Sequence, residues 1–346
     1  MRVLVLEEFG RVAVRERADP QPGHGEVLVE VVATGICGSD IHGYTGENGR
    51  REPGQVMGHE TVGRVRALGA GVDDPPVGAV VAINPVLGCR KCADCDNDRP
   101  QRCATKQVLG VTPSLMAAFA EFVVVPAENA VVMKQSGPIE YGALVEPLAV
   151  GFHAARQGAV SAHDRVLIIG GGPIGQACLL AARRLGATNI ALSEPDDGRR
   201  ARASALGANV FSPTTDDAAA QVDASLGGRA TVVLDAVGST QSLAAALSWS
   251  TPGARVVLVG MAHPSLEVAA YEVSTHERTI IGSFCYSPTE FAETAAWVSV
   301  GGEHLDILID ERVGFDGAQD AFSRLAAGNS SACKVMVFPT GFSATA

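Results

Sequence analysis

Four cysteines stand within fifteen residues, Cys89, Cys92, Cys95 and Cys103, spaced C-x2-C-x2-C-x7-C. Four thiolates satisfy tetrahedral Zn²⁺ with no position left open, the arrangement of a closed structural site. An iron–sulfur cluster is the rival use of such spacing, but it would expect x2, x2, x3 and then Pro. Here the last gap is seven residues. The surrounding stretch, residues 84–105, has almost no apolar periodicity, so metal binding would have to supply the free energy that orders it. A second set is dispersed. Cys37 lies in GICGSDIHGY, His59 and Glu60 in GHETVGRVRALGAG, and Glu146 in VEPLAV. One thiolate, one imidazole and one or two carboxylates suit a zinc that keeps a position open to substrate. Spacing alone does not separate this set from ordinary packing residues.

A third cluster is made of glycine. Gly170, Gly172 and Gly175 form G-x-G-x-x-G directly after the apolar run Arg165–Ile169, with Pro173 and Ile174 inside the motif and a helical run following. In that context the first glycine allows a tight turn, the second lets a pyrophosphate approach the backbone, and the third lets helix and strand pack closely. The helix N-terminus then offers free N–H groups and a partial positive charge to the phosphates. The next strand ends in Ser193-Glu194. A carboxylate there accepts from the adenosine ribose hydroxyls and repels a 2′-phosphate, which favours NAD over NADP. Arg199 and Arg200 pull the other way, since an arginine nearby can hold that phosphate.

The elements around these residues fall into two regimes. The first third is β-rich, with short valine-rich segments (27–33, 62–67, 77–83) punctuated by Gly, Pro and Asp. From about residue 150, apolar strands alternate with helices: 165–169, 176–185, 189–193, 199–206, 208–211, 218–225, 231–236, 240–249 and 255–259. That rhythm predicts βαβ units on a parallel sheet covered on both faces. The last sixty residues carry one clear helix, 290–300, and end in a strand over 334–338. The expected division is 1–150, 151–287 and 288–346.

Composition narrows the function classes. The 346 residues carry 27 Lys+Arg against 38 Asp+Glu, a net charge of −11, with no basic block. That excludes nucleic acid and anionic membrane as expected partners. The N-terminus is interrupted by charges and no apolar run approaches a membrane span, so a cytoplasmic protein is expected. Eight cysteines in such a chain are thiols or metal ligands rather than disulfides. Of the scattered ones, Cys178, Cys285 and Cys333 read as core.

Taken together, GICGSDIHG, GHE with Gly63, Gly69 and Gly71 after it, the four-cysteine lobe, AAFAEFVVVP, EPLAV, GGGPIG, SEP and the closing KVMVFP resemble the zinc-dependent medium-chain dehydrogenases. The similarity runs along nearly the whole chain and points to the branch of sorbitol, butanediol and threonine dehydrogenases. It implies an α/β protein: a GroES-like β-barrel catalytic domain, a Rossmann doubly wound parallel-sheet domain, a tail that returns to the first domain, and an active site between the two domains. It implies Cys37 and His59 as ligands of a catalytic zinc, Glu60 as ligand or neighbour of the metal, and Glu146 where liver-type enzymes place a cysteine. Ser39 matches the hydroxyl of a proton relay and His42 the histidine that passes the proton to solvent. Two positions depart from the commoner pattern: AAFAEF stands for GGFAEY, and Gly38 stands where liver-type enzymes carry a pyrophosphate arginine.

The chemistry implied is hydride transfer between an alcohol carbon and NAD. Zinc polarises the substrate oxygen and lowers its pKa. Ser39 takes the hydroxyl proton and hands it towards His42. A secondary alcohol flanked by hydroxyls, a polyol or vicinal diol, is the first expectation for substrate. Threonine, a simple alcohol, an NADPH-dependent carbonyl reduction and a redox-silent binding role follow behind it. Tyr44 is expected at the pocket. The polar stretch 43–55, with Glu47, Arg50 and Arg51, reads first as a solvated loop and second as a binder of anionic or hydroxyl-rich substrate. A homo-oligomer, tetramer or dimer, is expected from the resemblance.

Overall fold

The computed structural model describes residues 1–47, 49–134, 136–215, 217–301, 305–328 and 332–341. Two compact units emerge, Met1–Glu146 with Ser287–Ala346, and Pro147–Tyr286.

The first unit is built on a seven-stranded, mostly antiparallel sheet. Its central strand, Glu26–Gly35, pairs with Glu60–Leu68, with Phe122–Pro126 and with the tail strand Val335–Phe338. Alternation makes it a core strand: Val27, Val29 and Val31 all point into one apolar cluster with Val65, Val81, Ile83, Val123 and Val125. The register Gly35↔Glu60 matters most for function, because it lays the chain just after one strand beside the chain just before the other. The N-terminal strands Arg2–Glu8 and Arg11–Glu16 form a hairpin. Val3, Leu4, Val5 and Leu6 of that hairpin join a second core cluster with Phe315, Ala318, Ala321 and Phe322.

Those last four residues belong to the helix Phe315–Ala326, which the single-helix expectation for the tail misses. Phe315, Ala318 and Phe322 recur at helical spacing, but Gly317 and two small alanines dilute the apolar stripe. The strand Glu311–Gly314 is missed as well, being four residues long and half-buried throughout.

The second unit is a six-stranded parallel sheet with spatial order Asn209–Phe211, Asn189–Ser193, Arg165–Ile169, Ala230–Asp235, Ser250–Leu258, Thr279–Gly282. This is the 3-2-1-4-5-6 order of a Rossmann sheet, whose order reverses beside the first strand. Leu167 and Val233 are fully buried, as strands covered by helices require. Helix Pro173–Arg184 follows the first strand and buries Ala177, Cys178, Leu179, Leu180, Ala181 and Ala182. Burial pushes the Cys178 thiol up to about 12, so this cysteine is inert packing. Cys333 is buried too, whereas Cys285 is only half-buried, at a positive φ of 50°. No helix among the described residues is long and apolar enough to cross a membrane.

Candidate metal centres and dinucleotide turn

The lobe 84–105 is closed at its neck by a two-stranded ladder, Val86–Leu87 against Gln107–Val108. Beyond that ladder lie a one-turn helix, Ala93–Asp96, and a 3-10 turn, Pro100–Arg102, and the sulfurs of Cys89, Cys92, Cys95 and Cys103 converge within 4.8 Å of one another. Tetrahedral zinc with four thiolates holds its sulfurs about 3.8 Å apart, a spacing within that bound. Without metal the thiols divide the protons unevenly. An N–H of Cys89 and the Thr105 hydroxyl bring the Cys103 thiol down to about 6. Desolvation, helped by the neighbouring sulfurs, takes Cys95 up to about 11. One thiol is thus ready to ionise at neutral pH, and a cation would release the protons of the rest.

The second cluster is assembled by the Gly35↔Glu60 register. Cys37 is the N-cap of the helix Gly38–Thr45, two residues past one strand; His59 precedes the other strand and Glu60 opens it. The Cys37 sulfur, a His59 ring nitrogen and a Glu60 oxygen lie within 4.8 Å of one another. A thiolate, an imidazole and a carboxylate with a fourth side open are the donor set of a catalytic zinc, and the three residues fit the ion. Glu146 is buried but stands outside that 4.8 Å group.

His59 is buried with a negative neighbour on each flank. Burial opposes its protonation, yet Asp40 and Cys37 outweigh this and raise its pKa well above the ordinary value. Its Nδ1 lies 3.6 Å from Asp40 Oδ1, and its Nε2 lies 3.5 Å from Ser39 Oγ. Asp40 is fully buried and accepts the Cys37 N–H at 3.1 Å. Burial would raise its carboxyl, but His59 and Arg51 hold it below the usual range. His42, three residues along the same helix from Ser39, is exposed, and its Nδ1 is 3.1 Å from Glu47.

Two residues at this centre escape the sequence reading. Asp40 gave a signal, an acidic residue three positions after an N-cap. Lys334 gave a weaker one, a single charge at the mouth of an apolar strand. Its Nζ donates to both Glu60 oxygens, at 2.7 and 2.5 Å, and to the Ile36 carbonyl at 3.2 Å. Burial works against this ammonium, but Glu60, Cys37 and Glu146 keep its pKa raised. Gly35 makes room for the pair: a Cβ there would lie 2.2 Å from Glu60 Oε2 and 2.9 Å from Lys334 Cδ.

Two expectations are corrected here. Tyr44 does not line a pocket. It is buried against Phe322 with ring centroids 5.4 Å apart, and its hydroxyl bonds the Gly10 carbonyl, Ser323 and Gln319. Nor is 43–55 uniformly a solvated loop, since Arg51 is 3% exposed while Arg50 is exposed.

In the second unit the glycine turn takes the geometry its chemistry needs. Gly170 sits at φ 94°, a conformation that excludes other residues, and a Cβ on Gly175 would lie 1.8 Å from the Gly170 carbonyl. Gly172 caps the helix, with Pro173 and Ile174 in its first turn. Glu194 is fixed beside the turn, Oε2 accepting the Gly171 N–H at 2.6 Å and Oε1 the Asp196 N–H at 2.9 Å. Arg199 reaches over the same place, its Nη1 4.0 Å from where a Cβ on Gly172 would stand.

Comparisons with known proteins agree with this geometry. Residues 23–135 match the alcohol dehydrogenase GroES-like domain and residues 173–299 the zinc-binding dehydrogenase domain. The sorbitol dehydrogenase of Arabidopsis thaliana is 32% identical over 329 residues, 92% of this chain and 89% of that protein. A solved alcohol dehydrogenase of Escherichia coli CFT073, complexed with NADH, superposes with a TM-score of 0.89 at 30% identity, covering 98% of this chain and 99% of that one. A zinc-binding dehydrogenase of Sinorhizobium meliloti 1021, bound to NADP, gives the same score, identity and coverage. Two thiolate-bearing donor sets on a GroES-like unit, a G-x-G-x-x-G turn on a Rossmann unit and matches across almost the whole length place this chain among the zinc-dependent medium-chain dehydrogenases of the alcohol dehydrogenase superfamily.

Proposed function

We propose that the protein oxidises a secondary alcohol of a polyol or vicinal diol to a ketone with NAD, reversibly, using zinc held by Cys37, His59 and Glu60. The observation that carries this is the convergence of those three donors beside the Ser39 hydroxyl, 3.5 Å from His59. Zinc, when bound, supplies Lewis-acid polarisation of the substrate hydroxyl. Ser39 receives the hydroxyl proton, and His42, exposed and paired with Glu47, exchanges it with water. Glu146 adds negative charge at the Lys334–Glu60 pair and stands as a ligand in reserve. The cysteine lobe takes a second, structural zinc.

NAD is favoured over NADP by Glu194, a buried carboxylate locked by two backbone N–H groups beside the glycine turn, where a 2′-phosphate would meet its charge. The sorbitol dehydrogenase among the relatives supports the polyol assignment. The sulfurs of Cys37 and of the lobe cysteines are gathered as metal donors, a use of cysteine that suits the reducing cytoplasm. A second copy of the chain is the expected partner. The strand Thr279–Gly282 ends the second unit's sheet, and Met261, Val268 and Tyr271 stand exposed in the segment before it.

The test is the rise of NADH absorbance on purified protein offered NAD or NADP with polyols, butanediol, threonine and simple alcohols, with and without a zinc chelator. Chelator-sensitive turnover on diols or polyols with NAD is expected. Preference for NADP would overturn the role of Glu194. Preference for threonine would move the substrate class, and turnover indifferent to chelation would remove zinc from the chemistry. Light scattering on the same sample reads the oligomer.

A further inference from the structure

The ring of contacts around His59 contains one residue with no assigned task. Arg51 Nη2 donates to Ser39 Oγ at 3.4 Å and lies 3.7 Å from Asp40 Oδ1. Ser39 in turn faces His59 Nε2, and Asp40 faces His59 Nδ1. One guanidinium therefore touches both groups that flank the imidazole. Its side chain is 1% exposed, and its Nε and Nη1 have no hydrogen-bond partner among the described residues. The approach across the helix Gly38–Thr45 is made possible by Gly43, where a Cβ would lie 2.2 Å from Arg51 Cγ. A side chain so enclosed does not meet solvent or a substrate's anionic group directly. Its donors act on Ser39 and Asp40.

Given the alcohol-oxidising role proposed above, we propose that Arg51 is a positioning residue for the proton transfer at Ser39. A guanidinium has donors only, so at this contact the Ser39 oxygen can only accept. One lone pair of Ser39 is thereby occupied and the hydroxyl rotor loses a free direction. The remaining lone pair and the single hydrogen are left for the side on which His59 Nε2 stands, where the substrate hydroxyl must come if the metal sits on His59. The same cation stands 3.7 Å from Asp40 Oδ1, the oxygen that faces His59 Nδ1 at 3.6 Å, so it counters the carboxylate charge beside the imidazole. Arg51 thus fixes Ser39 directly and the metal-binding imidazole through Asp40.

The experiment begins with the wild-type holoenzyme, counting zinc per chain and measuring turnover on the best alcohol. Two zincs and NAD-linked turnover uphold the proposed function. Zinc in the cysteine lobe alone, or no turnover, overturns that function and this inference with it. Given the first result, Arg51→Met, Arg51→Lys, Ser39→Ala and the double variant Arg51→Met/Ser39→Ala are compared. Arg51→Met is expected to lower kcat about tenfold or more while KM moves less than about threefold, as lost orientation of a proton-transfer group does. Arg51→Lys is expected to recover part of the loss. In the Ser39→Ala background the same Arg51 change is expected to cost less than about threefold, because its target is gone. Zinc content and the visible spectrum of the cobalt-substituted protein are expected to match wild type. Equal losses in both backgrounds would overturn the coupling to Ser39. Loss of the second zinc or an altered cobalt spectrum would reduce Arg51 to metal-site scaffold. A rise in KM confined to acidic substrates would make it a substrate contact. Gly43→Ala, which displaces the Arg51 stem without removing its charge, is expected to reproduce the kcat loss, and wild-type kcat there would also refute the inference.

Discussion

Replacing Lys334 by methionine keeps the apolar stem and deletes one charge from a buried ion pair. Lys334 is 3% exposed and Glu60 1%, and the ammonium meets both carboxylate oxygens. The substitution leaves Glu60 without this counter-charge and the Ile36 carbonyl without a donor. Truncating one partner of a buried pair costs about 3–5 kcal/mol. For a unit of this size each kcal/mol is roughly 2–4 °C in Tm, so the unit that holds the pair is expected to melt about 6–20 °C lower. Removing both charges together, as K334M with E60Q, is expected to recover most of that loss, because neutral replacement of a buried pair is close to neutral in stability. Zinc separates the electrostatic account from simple repacking. Glu60 released from Lys334 is a freer ligand, so zinc should bind the variant more tightly and narrow its gap to wild type, by about 2.7 kcal/mol for metal at a hundred times its Kd if wild type gained nothing. Calorimetric melts of wild type and both variants, each with chelator and with zinc, measure all of this. A K334M protein melting within about 2 °C of wild type in chelator would refute the claim that the pair is a buried, uncompensated-when-broken contact. A gap unchanged by zinc would show that Glu60 does not share its charge with the metal.

Other expectations follow from single contacts. Gly175→Ala places a Cβ 1.8 Å from the Gly170 carbonyl and must spread the turn, so NADH affinity in a fluorescence titration is expected to fall at least about tenfold. Cys95→Ser removes one of four converging sulfurs, and zinc content is expected to drop by one ion per chain while limited proteolysis begins within 84–105. Asp164 is buried, which favours its neutral form, but bonds from Ser161 and Thr231 and the charge of Arg255 outweigh this and lower its pKa. Its folded pKa lies below the unfolded value of about 3.9, so its contribution is present above that pH and is lost as the pH falls through the folded pKa. Asp164→Asn is accordingly expected to cost about 1–3 kcal/mol in urea unfolding at pH 7. Its deficit should shrink towards zero below pH 4, and a pH-independent deficit would refute the ionic account.

Legibility in the sequence followed how local each feature is. The lobe was legible because its four ligands lie within one short stretch and the chain between them cannot bury itself, so C-x2-C-x2-C-x7-C nearly dictates the outcome. The glycine turn was legible for the same reason, since strand, turn and helix are consecutive and each glycine has a steric task. Alternating periodicity likewise announced five of the parallel strands, but it missed the edge strand Thr279–Gly282, and Ser250–Leu258 begins five residues before the expected 255–259. Cys37 and His59 needed more, because chemistry allowed them and only the resemblance to a family brought them together.

What tertiary structure alone decided is which charges are buried and against what. Arg50 and Arg51 are neighbours of the same type in one polar stretch, yet one meets solvent and the other is enclosed beside Ser39 and Asp40. Lys334 is 274 residues from Glu60 and meets it because the tail strand pairs Met336 with Gly35, which itself pairs with Glu60. Tyr44 was placed by the helix Phe315–Ala326, a contact across more than 270 residues. Local sequence fixes backbone geometry and ligand spacing through sterics and periodicity. The partner of a lone buried charge is set by strand register and by glycines such as Gly35 and Gly43 that clear its path, and these become visible only when distant segments are brought side by side.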